Sequence, residues 1–167
     1  MPPEEMMTPE ELLSLSAFLA QTPERVRQLV GQLCESDARL KPSPQEFSAL
    51  EQVCHLNDLE REGYGVRIEK LLSEEAEPFL EDFDGGRIAQ ERDYNTRQLA
   101  PMLEAFKSAR TRNLLALAAL SPADFERRGT LEAVGPITLA ALLVKMREHD
   151  EGHLEELTAL HHQLLSQ

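Results

Sequence analysis

The stretch Thr138-Leu139-Ala140-Ala141-Leu142-Leu143-Val144-Lys145-Met146-Arg147-Glu148-His149-Asp150-Glu151-Gly152-His153-Leu154 decides how the rest of the chain is read. Thr138 is a helix N-cap residue, and the apolar positions Leu139, Leu142, Leu143 and Met146 recur at helical spacing. The stripe continues through Leu154, Leu157, Leu160 and Leu164, so the spacing predicts one helix to about Leu165. His149, Asp150 and His153 interrupt the stripe. At ~100° per residue the two imidazoles lie about 40° apart on the leucine face. A buried ring without a partner costs on the order of 1–3 kcal/mol, so each needs one. A histidine pair at i, i+4 can place two ring nitrogens on one ion at about 2.0–2.1 Å. A half-exposed pair satisfied without metal is the alternative.

Outward from this helix, the start signals repeat. Thr8-Pro9-Glu10-Glu11 has a capping threonine, proline at the first helical position and glutamate at the third. Thr22-Pro23-Glu24-Arg25 reads as the start of a second helical stretch, with Val26, Leu29, Val30 and Leu33 on one face. Ser48-Ala49-Leu50-Glu51 is a further capping box opening a long helix to about Leu72, with Gly63 and Gly65 inside it. Another helix is expected from about Arg97 to Leu120 on Leu99, Leu103, Phe106, Leu114 and Leu117. Residues 73–94 read as a loop with at most a short helical turn, and Arg128 to Pro136 as a connector. Nothing reads as a multi-stranded sheet. The expected fold is all-α, an antiparallel helical bundle with short extra helices. Residues 1–7 are expected to form a flexible tail and residues 8–167 a single domain.

His55 lies on the helix opened by Ser48, bordering the inward face that carries Leu59 and Val66. Three inward histidines on two helices strengthen the case for a metal site. Glu51, Asp58 and Glu62 lie within about 60° of His55 on the same helix. Carboxylates there are candidates to orient ligand rings, against the plainer role of surface acids in an acidic chain. His161 and His162 fit charge at a helix C-terminus. Cys54 points about 100° from His55 and reads as a buried thiol. Arg110, Arg127 and Arg128 are read as ion-pair partners for surplus carboxylates rather than anion sites. Asp150 is read as a solvated carboxylate, and its place after His149 does not match the His-Glu-x-x-His pattern of zinc proteases.

Composition narrows the functions. The 167 residues carry 17 basic and 30 acidic side chains, a formal net charge of −13. Such acidity opposes nucleic-acid binding, which needs a basic footprint. The N-terminus lacks the basic and apolar regions of a signal peptide. Leu114–Leu120 and Ile137–Met146 are too short to span a bilayer, so no membrane partner is expected. Cys34 and Cys54 have no metal-knuckle spacing and are read as reduced thiols of a cytoplasmic protein.

The run from Glu46 through His55 to Glu60 resembles the first histidine motif of the DinB/YfiT-like superfamily. Gly135-Pro136-Ile137-Thr138-Leu139, followed by His149-Asp150-Glu151-Gly152-His153, is similar to its closing helix. Asp93-Tyr94-Asn95 and Phe106–Arg110 are similar to its third helix. The likeness runs from about Leu12 to Leu165, and Phe47 stands where many relatives have tryptophan. It implies a four-helix bundle, usually a homodimer, with a divalent metal held by His55, His149 and His153. Relatives with assigned activity depend on a low-molecular-weight thiol, as maleylpyruvate isomerase or S-transferases using mycothiol or bacillithiol. Others are described as metal-dependent hydrolases. The expected function is therefore a metal-dependent enzyme, a thiol S-transferase or a hydrolase, acting on a small molecule with a thiol as possible co-substrate. All-imidazole ligation suits zinc, nickel, copper or iron, zinc or nickel foremost. The rivals are a non-enzymatic bundle with structural or incidental metal and a partner-binding regulator.

Overall fold

In a computed structural model describing residues 6–166, the Thr8 capping box forms as read: the Glu11 amide donates to the Thr8 hydroxyl, and the Thr8 amide to the Glu11 carboxylate. It opens α1 (Pro9–Val30). Residues 1–5 of the expected tail lie outside the described residues, and Met7 packs on the core. The helix start expected at Thr22 is absent, because α1 runs through Pro23 without a break. Proline has no N–H for the Leu19 carbonyl four residues back. Arg110 fills that gap, donating from Nη1 to the Leu19 carbonyl oxygen at 2.8 Å.

After the single turn α2 (Glu35–Ala38), Ser48 caps α3 (Ala49–Asp58) with a second capping box. A π-helical segment, Leu59–Tyr64, then leads into α4 (Gly65–Leu72). The widened turn explains Gly65: a Cβ there would stand 2.9 Å from the Glu60 carbonyl oxygen and 3.2 Å from Asn113. The remaining long helices are α6 (Leu99–Ala118) and α7 (Leu139–Leu165), the latter capped by Thr138 as expected. α1 packs along α6 and α7, and α3 packs on α6 and α7, giving a four-helix bundle.

Two segments differ from expectation. The 73–94 loop contains β1 (Phe79–Leu80) and the two-turn α5 (Gly85–Arg92), capped by Asp84. The Arg128–Pro136 connector folds as β2 (Arg128–Leu131) and β3 (Gly135–Thr138). Together they form a small sheet, β1 parallel to β2 and β2 antiparallel to β3, that presses Leu80, Leu131 and Ile137 onto the bundle.

The core has two apolar halves. Val26, Val53, Cys54, Leu99, Phe106 and Leu157 belong to one; Leu19, Leu71, Leu117, Leu139, Leu142 and Met146 belong to the other. Along α1, α6 and α7 the residues between them are polar: Thr22, Arg110 with Asn113, and Asp150. Arg110 is 1% exposed and donates all five N–H groups. Glu60 accepts two at 2.8 and 3.0 Å, Asp150 two at 2.7 and 3.0 Å, and Leu19 the fifth. Thr22 donates to Asp150 at 2.6 Å, and Asn113 to Glu60 at 2.9 Å. The solvated role expected for Asp150 is therefore corrected. It is 1% exposed and closes a buried ion network.

Candidate metal centre

The Ser48 cap starts α3 two turns before His55, while the Thr138 cap starts α7 three turns before His149. α3 and α7 pack together, so the three expected ligands meet. Nε2 of His149 lies 3.3 Å from Nε2 of His55 and 3.2 Å from Nε2 of His153. Two imidazole nitrogens on one tetrahedral ion at ~2.0–2.1 Å would sit about 3.3 Å apart. The donor set fits a divalent ion of the imidazole-binding class. Among the described residues no carboxylate or thiol joins these three within ligating distance of one another.

The electrostatics favour the same form of the rings. Burial pushes His55 down to about 4, helped by the neighbouring His149. Burial, then His149 and His55, push His153 down to about 3. His149 is lowered too, mainly by burial, although the Asp150 carboxylate opposes it. Neutral imidazole is the form that donates a lone pair to metal. His153 Nδ1–H donates to Gln52 Oε1 at 3.0 Å, which fixes the tautomer that leaves Nε2 bare. Nδ1 of His55 and of His149 are buried without a hydrogen-bond partner. The His55 ring is packed instead, with ring centroids of Phe47 and Phe83 at 5.8 and 6.1 Å and Gly85 against its edge.

The expected orienting carboxylates are placed elsewhere. Glu51 holds the α3 cap and pairs with Lys41 at 3.2 Å. Asp58 accepts from Arg92 at 2.6 Å and from the Tyr94 hydroxyl at 2.8 Å. Glu62 pairs with Arg92. The residue that does hold a ring, Gln52, was readable only as a polar side chain one turn before His55. His161 stands apart, its Nδ1 bonded to the Leu29 carbonyl oxygen, and Cys54 is buried with its thiol pushed up to about 12. Of the arginines considered for anions, Arg110 lies in the buried network and Arg127 pairs with Asp124.

A cavity of about 510 Å³ opens beside His55 and His153, lined also by Glu46, Phe47, Gln52, Glu156 and Leu160. That volume suits a small molecule.

Comparison with known proteins came to the same fold. The family model of the DinB superfamily matches residues 19–157. Among solved structures, YfiT from Bacillus subtilis superposes with a TM-score of 0.87 at 20% identity, covering 98% of this chain and 93% of that one. That protein is described as "a probable metal-dependent hydrolase with an unusual four-helix bundle topology". No curated protein matches the sequence. Among the described residues, no helix is long and apolar enough to cross a membrane.

Proposed function

This chain belongs to the DinB superfamily, and from that premise we propose that it is a metal-dependent enzyme of hydrolytic type, with His55, His149 and His153 holding one divalent ion. The observation that carries the proposal is the convergence of three neutral Nε2 atoms beside an open cavity. A divalent ion on neutral ligands keeps its full charge and supplies Lewis acidity, ionising water or a thiol near neutral pH. The chain's own part is to hold the donors. Gln52 sets the His153 tautomer, Gly85 and two phenylalanines confine His55, and the cavity admits a substrate.

Thiol-dependent S-transfer would use the same three ligands. The likeness to YfiT favours hydrolysis, and so does a cavity lining without a lysine or arginine to receive an anionic thiol. A purely structural metal would be enclosed by a fourth protein ligand, and no such donor stands among the described residues. We place the protein in the cytoplasm on its two unlinked cysteines, and as a homodimer on the resemblance.

The test is a metal assay on protein purified without nickel resin. About one ion per chain is expected, lost in His55→Ala, His149→Ala and His153→Ala and kept in His161→Ala and His162→Ala. Stoichiometric metal surviving His153→Ala would remove the site. Ester and amide turnover that follows metal content, without added thiol, separates hydrolysis from S-transfer.

A further inference from the structure

We propose that the cavity beside the three histidines selects small molecules carrying a cationic amine and disfavours anionic ones; the proposal rests on the metal site described above. Besides His55 and His153, the ionisable side chains in its lining are Glu46, ahead of α3, and Glu156, on α7. Among the described residues no lysine or arginine pairs with either. Lys41, next to the lining residue Pro42, is engaged by Glu51 at 3.2 Å. Glu156 does approach a ring, with an oxygen 3.9 Å from His153 Nδ1, but the N–H there is given to Gln52 Oε1 at 3.0 Å.

The two carboxylates also act on each other. Glu46 and Glu156 line one and the same cavity, so each carboxylate feels the charge of the other. Like charges sharing a partly enclosed space are relieved by a cation placed between them. The rest of the lining suits an ammonium and its carbon chain: the Phe47 ring for cation–π contact, Leu160 and Ala159 for methylenes, and uncharged amides at Gln45, Gln52 and Gln163. Glu156 stands at the histidine end of the cavity, its Oε2 3.9 Å from His153 Nδ1. The chain's charge of −13 adds a background field of the same sign.

The experiment uses zinc-loaded full-length protein and three hydroxamates of equal chain length, ending in an ammonium, a methyl or a carboxylate. The hydroxamate anchors at the metal and the tail samples the cavity, so binding is read by calorimetry without any turnover. Attraction of one tail and repulsion of the other, each a few-fold at partly exposed charges, should separate ammonium from carboxylate by about tenfold. Glu46→Gln with Glu156→Gln should shrink that separation to less than about twofold. Equal affinities in the wild type, or a preference for the carboxylate tail, overturn the selectivity alone. Failure of all three hydroxamates to bind zinc-loaded protein overturns the open metal site, and the selectivity with it.

Discussion

At the scale of single residues, packing aims the His55 ring, because its Nδ1 has no hydrogen-bond partner. A Cβ at Gly85 would stand 2.6 Å from Cε1 and 2.8 Å from Nδ1 of that ring. The neighbouring Gly86 would meet only an Asp84 oxygen, at 3.8 Å. Both glycines sit in the first turn of α5, so alanine changes helix propensity similarly at each. Gly85→Ala is expected to rotate or displace His55 and weaken metal binding at least tenfold, with the helical circular dichroism retained. Gly86→Ala should bind metal as the wild type does. Equal affinities in the two variants, measured by competition with a chromophoric chelator, would show that Gly85 does not position the ring. The histidines themselves were legible in the sequence, because a polar ring at a leucine position of a helical stripe stands out against its period. Their supports were not. Asp58 and Glu62 share a helix face with His55, but their cation, Arg92, comes from a segment that the sequence reads as a loop.

At the scale of elements, the bundle is crossed by one charged layer whose stability depends on being complete. Arg110 brings one positive charge to two carboxylates, and all three side chains are only 1–2% exposed. Removing one partner of such a pair leaves a buried uncompensated charge, at a cost of ~3–5 kcal/mol. Arg110→Met is therefore expected to lower the unfolding free energy by about that amount, read from urea denaturation. A loss below about 1 kcal/mol would mean that water or protons replace the guanidinium. The four long helices were readable because caps and apolar stripes are local signals. The proline in α1 was misleading for a tertiary reason: Thr22-Pro23 has the form of a helix start, and only Arg110, 91 residues from Leu19, lets the helix continue. The small sheet was missed for a different reason. Strands of two and four residues are too short to show alternation, and β1 joins β2 across nearly fifty residues.

For the molecule as a whole, the buried histidines tie stability to pH. In metal-free protein His55 is held at about 4 and His153 at about 3, while unfolded histidine titrates near 6.5. The unfolded chain therefore binds more protons between those limits, and stability rises with pH across them. The full stability is present above pH 6.5 and is lost as pH falls toward the folded values. At ~1.4 kcal/mol per unit, His55 alone accounts for about 3 kcal/mol. With chelator present, the urea midpoint should drop between pH 7.5 and 5.0, and added zinc should raise it further at pH 7.5, where the rings are free to bind. A midpoint unchanged over that range would mean that the rings are not buried in solution.

Assembly is also a property of the whole surface. Met6, Leu13 and Val144 are exposed, and Met6 and Val144 line a groove of about 900 Å³ between the start of α1 and the face of α7. Exposed apolar surface of this kind is the raw material of a helix-face dimer. Light scattering at micromolar concentration should give twice the 18.8 kDa chain mass. Val144→Glu should dissociate the dimer without loss of metal, whereas Leu115→Glu, at a more exposed apolar position on α6, should leave it intact. Each copy carries a charge of −13, so the copies repel until counterions screen them. Association through apolar contact should accordingly tighten as salt is raised, the opposite of an interface built on ion pairs. A monomer at every salt concentration refutes the dimer, and a dimer broken by Leu115→Glu instead moves its interface to α6.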